Sequence, residues 1–135
     1  MPTLVLDAHG VTTLDADRRK ALVEAGLWPP VIAVTTVAES TTGDPRRDHH
    51  ANRVVKQSIV MDVTEPIARR AGALRFAAVR GGIADAIVVA VAELVAPDGV
   101  VISTSDPGDI GALVAASPLS GRMRVVPTSP SRRRH

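Results

Sequence analysis

The chain has 135 residues, with no cysteine, no tyrosine, one tryptophan and one phenylalanine. That length fits one domain. The missing cysteines exclude disulfides, thiolate metal sites and cysteine nucleophiles, and so few aromatics argue against modules that stack bases on aromatic platforms. The formal charge of +2 hides a cancellation, because three of the 16 basic residues crowd at positions 132–134. The rest of the chain sets 13 basic residues against 14 acidic ones.

Taken in chain order, short apolar runs alternate with longer helical patterns. Residues 3–6 form an apolar strand, and the polar stretch running through residues 20–27 reads as helical. Trp28-Pro29-Pro30 breaks it before a second β-branched strand at 31–34. Thr35 or Thr36 is expected to cap a short helix carrying Val37, Ala38 and Glu39. Asp44-Pro45 is expected to start another that runs to about Gln57. A third strand falls at 59–61. Thr64-Glu65-Pro66 opens a helix to residue 80, with Ile67, Ala71, Leu74 and Ala78 at helical spacing. Gly81-Gly82 closes it, and residues 83–96 form a nearly all-apolar helix. A fourth strand at 100–102, a helix at 109–116 and a fifth strand at 124–126 complete the pattern.

Strands joined by helices imply right-handed crossovers, and apolar strands without alternation imply a sheet covered on both faces. The expected fold is a three-layer α/β/α sandwich with a mainly parallel five-stranded sheet. It occupies residues 1–127, followed by a disordered Ser/Pro/Arg tail at 128–135. The N-terminus lacks a basic region and a long apolar core, so no signal peptide is expected. No apolar run approaches a membrane span, and a cytoplasmic protein is the expectation.

Ligands of open α/β sheets bind at the carboxyl ends of the strands. Asp7 follows the first strand directly, and Asp106 follows the fourth through Ser103-Thr104-Ser105. Asp85 is the only charged residue between Arg80 and Glu93. A carboxylate in such an apolar helix must be paired, neutralised or metal-bound, although a place near the helix N-terminus also accounts for it. Glu39 lies one turn into the helix after the second strand, where an exposed helical glutamate is the ordinary explanation. Four acids converging on one rim repel one another unless a cation lies among them. Oxygen ligands without cysteine select Mg²⁺ or Mn²⁺, and hydrolysis of phosphodiester bonds is the chemistry such a centre performs.

The motifs that bear on a family are Leu4-Val5-Leu6-Asp7-Ala8, Val34-Thr35-Thr36-Val37-Ala38-Glu39 and Ala71-Gly72-Ala73-Leu74-Arg75. Ile83-Ala84-Asp85-Ala86-Ile87-Val88-Val89-Ala90 and Ile102-Ser103-Thr104-Ser105-Asp106-Pro107-Gly108-Asp109 follow. In that order and spacing the chain resembles PIN-domain ribonucleases, specifically VapC-type toxins of bacterial toxin–antitoxin pairs, from Leu4 to about Pro127. The resemblance implies a PIN-like fold and a Mg²⁺- or Mn²⁺-dependent endoribonuclease that cuts RNA. It also implies a VapB-type antitoxin partner and a homodimer. By motif position, Asp7, Glu39, Asp85 and Asp106 are the catalytic acids, with Asp7, Asp85 and Asp106 as metal ligands. Thr104, Asp109 and His9 are the accessory candidates, and His9 departs from the small hydroxyl residue common at that place.

Other features read more plainly. Asp44, Asp48, His49 and His50 suggest a second metal site, but a polar helix face explains them as well. Arg46, Arg47, Arg53, Arg69, Arg70, Arg75 and Arg80 are candidates for phosphate contacts, against the ordinary alternative of solvated helix faces. A phosphohydrolase with Asp7 as nucleophile lacks the second aspartate, since His9 stands there. A degenerate PIN or receiver-like module that binds a protein partner without catalysis is the alternative to the nuclease.

Overall fold

The computed structural model describes residues 1–128. Within them the strands are β1 (Thr3–Leu6), β2 (Val31–Ala33), β3 (Ile59–Met61), β4 (Val100–Thr104) and β5 (Met123–Pro127). The helices are α1 (Ala8–Thr12), α2 (Ala16–Glu24), α3 (Val34–Ser40), α4 (His49–Gln57), α5 (Glu65–Ala78), α6 (Ile83–Leu94) and α7 (Pro107–Ala115). All pairings are parallel, in the order β3-β2-β1-β4-β5. The expected mainly parallel five-stranded sheet is therefore present.

The central strands β1, β2 and β4 alternate their side chains between two apolar cores, which is why their sequences show no polar face. Ile59 and Val60 of the edge strand β3 are instead exposed. Val5, Val31, Ala33, Val100 and Ile102 point into a core with Leu74 of α5, Val89 of α6 and Leu113 of α7. Leu4, Leu6 and Ile32 point to the other side, against Val11 of α1 and Val54 of α4. The helices of the larger layer are also tied by polar groups. Arg70 on α5 donates two bonds of 2.8 Å to Glu93 on α6, and the Ser117 hydroxyl beyond α7 donates to the same carboxylate at 2.6 Å.

Several expected boundaries move, each for a local reason. Thr35 and Thr36 lie inside α3, whose N-cap is Ala33 with no side-chain bond, because β2 runs straight into the helix. Asp44-Pro45 opens only a turn, and α4 begins at His49. Asp48 accepts from the backbone N–H groups of Thr42 and Gly43, at 2.8–2.9 Å, so its carboxylate pins the preceding loop. The helix expected through residues 20–27 ends at Glu24 and starts early, capped by Asp15 bonding Arg18 N–H at 2.7 Å. Helix α1 lacks any apolar periodicity long enough to announce it. Thr64 caps α5 as its sequence predicts, and α6 runs to Leu94.

The end of α5 is strained. The helix stops at Ala78 because Val79 takes the left-handed conformation, φ 60°. A β-branched residue there costs about 1–2 kcal/mol, and Val79 is 86% exposed, so little packing compensates. Val79→Gly is expected to raise stability by about 1 kcal/mol, seen as a higher urea midpoint with an unchanged slope. An unchanged midpoint would contradict the strain.

The fifth strand is longer than its apolar residues suggest. Beyond it, Thr128 is buried and donates its N–H to the Thr104 carbonyl at 3.0 Å, so the packed chain includes Thr128. The remainder of the tail expected at 128–135 lies outside the described residues.

Candidate metal centre

The site starts from register. Four residue pairs align β1 with β4, ending on Leu6 opposite Ser103, so the residues leaving both strands emerge side by side. Asp7 is the N-cap of α1, and its Oδ1 accepts the Gly10 N–H at 2.7 Å. Gly10 leaves room for this. A β-carbon there would lie 3.2 Å from the Ser103 carbonyl and 3.3 Å from Leu6. Asp7 is thereby buried and held at the rim.

Asp106 is the N-cap of α7, where its Oδ1 accepts the Asp109 N–H at 3.2 Å. Buried Thr104 fixes the turn between strand and helix, its hydroxyl accepting the Asp106 N–H at 2.9 Å. Asp85 sits half-buried in the first turn of α6, which brings it up beneath the same rim. Helix α3 packs on both α1 and α6 and carries Glu39 into range. One carboxylate oxygen each from Asp85, Asp106 and Asp109 lie within 4.8 Å of one another.

The electrostatics extend that trio to five. The Asp85 carboxyl is pushed up to about 6, first by burial and then by the charges of Asp106, Asp7, Asp109 and Glu39. Glu39 is also raised, first by desolvation and then by Asp7. Every expected acid thus faces the same centre. The close trio differs from the expected ligand set by one member, since Asp109 stands in it and Asp7 does not.

Asp109 is also ion-paired. Arg80 Nε donates to its Oδ1 at 2.7 Å, a contact with no signature in the sequence beyond one arginine among many. Of the other arginine candidates, Arg69 pairs with Glu65 and Arg70 with Glu93, which gives both structural partners. His9 turns to the C-terminal end of the sheet, its Nδ1 lying 3.2 Å from the Thr128 hydroxyl. Asp48, being spent on the loop at 42–43, joins no metal-ligand group with His49 or His50 among the described residues.

A divalent hard cation fits this donor set. All the donors are carboxylates, and a raised Asp85 marks negative charge that the protein leaves largely uncompensated. A separate concavity lies elsewhere. A cleft of about 470 Å³ is lined by residues including Thr13, Asp15, Arg19, His50 and Arg53, and none of the five acids borders it.

By sequence, the chain matches no family model and no curated protein. By structure it is similar to a chain of a toxin–antitoxin complex from Klebsiella pneumoniae, with TM-score 0.63 and 23% identity. That match covers 93% of this chain and 98% of the other. It is also similar to a chain of FitAB bound to an IR36 DNA fragment, at TM-score 0.62, 18% identity and coverages of 98% and 99%. A third match is to FitAcB from Neisseria gonorrhoeae, at TM-score 0.60, 17% identity and coverages of 90% and 95%. The chain shares their fold. Coverage near completeness on both sides makes the whole fold, rather than a fragment of it, the shared architecture.

Proposed function

We propose that this chain is a Mg²⁺- or Mn²⁺-dependent endoribonuclease of the PIN-domain, VapC-like kind, acting as the toxin of a toxin–antitoxin pair. The observation that carries the reading is the convergence of five carboxylates from four helices on one rim of the sheet. A structural neighbour from a toxin–antitoxin complex supports the assignment of role.

In this reading Asp7, Asp85 and Asp106 hold the metal and Glu39 completes the acidic shell. A cation held there would supply charge stabilisation for phosphodiester hydrolysis. The protein's own contribution is preorganisation. Gly10 N–H fixes Asp7, Thr104 and the α7 N-terminus fix Asp106, and the packed first turn of α6 fixes Asp85. Fixed carboxylates need not rearrange as charge develops, which is where such sites gain their rate. Because the acids gather at one centre, near-neutral overall charge is compatible with a nucleic-acid substrate. A VapB-type antitoxin, a homodimer and a cytoplasmic location belong to the same proposal. Among the described residues no helix is long and apolar enough to cross a membrane.

The decisive assay is cleavage of single-stranded RNA with Mg²⁺ or Mn²⁺. Chelation by EDTA and the substitution Asp7→Ala are each expected to abolish it, with activity returning when metal is restored to the wild type. Cleavage that survives EDTA would overturn the metal–carboxylate mechanism. A stably folded wild type that binds neither metal nor RNA would favour the non-catalytic module.

A further inference from the structure

The geometry points to Arg80 as a phosphate-contacting residue at the acidic centre, with Asp109 serving to orient it rather than to bind metal. This inference rests on the nuclease reading. Arg80 follows Val79, whose left-handed backbone turns the chain out of α5 toward the start of α7. Its Nε then donates to Asp109 Oδ1 at 2.7 Å. Its Nη2 lies along the first turn of α7, 3.2 Å from where a β-carbon on Gly108 would stand, so the glycine leaves the guanidinium room.

What separates Arg80 from the other ion-paired arginines is its partner, an acid of the close carboxylate trio. Arg70 is held at two points by Glu93, whose side chain is only 9% exposed, and it serves to join two helices. Arg69 is also held through Nε alone, but its partner Glu65 lies one turn away on the exposed face of α5 and outside that trio. Arg80 is held at one point only, and its side chain is 57% exposed. Among the described residues its Nη groups donate to no protein atom. A guanidinium fixed through Nε keeps its planar fork free for the two oxygens of a phosphodiester. Asp109, in turn, has one oxygen committed to that guanidinium, which leaves it a poorer cation ligand than Asp85 or Asp106.

Such a residue answers a difficulty of the site. A phosphodiester approaching five carboxylates is repelled until enough positive charge stands beside it, and one fixed arginine at the rim supplies part of that charge.

The test measures binding, not turnover. A fluorescein-labelled single-stranded RNA is titrated with the full chain, Ca²⁺ replacing Mg²⁺ and a gel verifying that the RNA stays intact. Mn²⁺ affinity is measured separately by calorimetry. Arg80→Gln is expected to weaken RNA binding about tenfold and to reduce the slope of log K against log salt by about 0.7. Its Mn²⁺ affinity stays level or tightens, because a nearby positive charge has been removed. Arg80→Lys is expected to fall between, since one ammonium cannot serve Asp109 and a phosphate in the same fork geometry. Asp109→Asn is expected to weaken RNA binding by a smaller factor and to keep Mn²⁺ affinity within about threefold of wild type, whereas Asp85→Asn loses it. RNA binding by Arg80→Gln equal to wild type would overturn the inference while leaving the nuclease reading intact. So would loss of Mn²⁺ in Asp109→Asn as severe as in Asp85→Asn. A wild type that binds Mn²⁺ but no RNA would overturn both.

Discussion

Asp85→Asn is expected to abolish metal-dependent RNA cleavage while making the metal-free protein more stable. The two effects have one cause. Asparagine keeps the size and much of the hydrogen bonding of aspartate but removes a charge that stands half-buried among four other acids. For catalysis that charge is a metal ligand in the proposed centre, and its loss is expected to cost at least about 100-fold in rate. For folding the same charge is a burden, since burial and like charges disfavour its ionised form. The rise from 3.8 to about 6 corresponds to a few kcal/mol at face value. Solvent reaches the group, so a gain of roughly 1–2 kcal/mol at neutral pH is the discounted expectation. Thermal unfolding of both proteins in EDTA, beside a cleavage assay in Mn²⁺, reads both effects. A less stable Asp85→Asn would mean that the carboxylate is a structural cap, and the site reading would fail.

Acidification is expected to act on the metal-free and metal-loaded protein in opposite directions. Asp85 titrates near 6 in the fold and near 3.8 when unfolded, so between those values the native state binds the extra proton. The repulsion present above pH 6 is therefore relieved as pH falls through about 6 toward about 4, and the metal-free protein gains stability over that window. Glu93 sets the lower limit. Burial pushes its carboxyl up, but the bonds from Arg70 and Ser117 outweigh burial and hold it below the ordinary 4.5. Its contribution is complete above about 4.5 and is lost as pH falls below that value. Metal-free stability should thus pass through a maximum at about pH 4, and Asp85→Asn should flatten the limb above it. Mn²⁺ stabilises by mass action, about 2.7 kcal/mol at a hundredfold excess over its dissociation constant. That increment should shrink as pH falls through about 6, because protons and metal compete for the same oxygens. Melting curves from about pH 3 to about pH 8, with Mn²⁺ and with EDTA, measure both limbs. A Mn²⁺ increment independent of pH would place the cation away from these carboxylates.

The elements that local chemistry specifies were legible in the chain. Thr64 before Glu65-Pro66 caps α5 as its side-chain chemistry requires, and the apolar run after Gly82 is the buried α6. The helices that were misplaced are those whose ends depend on neighbours. Thr35 and Thr36 look like caps, but the end of β2 commits them to the body of α3, where Thr36 is buried with its hydroxyl unpaired among the described residues. Asp44 looks like a cap too, but Asp48 gathers the loop and delays α4 to His49. Helix α1 is five residues long and too short for periodicity to reveal. Of the site, the acids stood out one by one because each follows a strand or interrupts an apolar helix. Arg80 did not, since an arginine beside two glycines carries no pattern of its own.

By itself the sequence determined the α/β class, the two-sided burial of the central strands and the short list of acids, because burial and capping are properties of a few adjacent residues. Tertiary structure alone decided what those acids become. Asp7 stands beside the turn to Asp106 because β1 pairs with β4, nearly a hundred residues away along the chain. Glu39 reaches the centre because α3 packs against α1 and α6, and Asp109 is drawn to Arg80 by the turn at Val79. Strand order and helix docking minimise the free energy of the whole fold, and no local periodicity carries that information. The charge of +2 with which the chain begins is likewise a sum. Only the fold separates it into an acidic centre and the arginine at its edge.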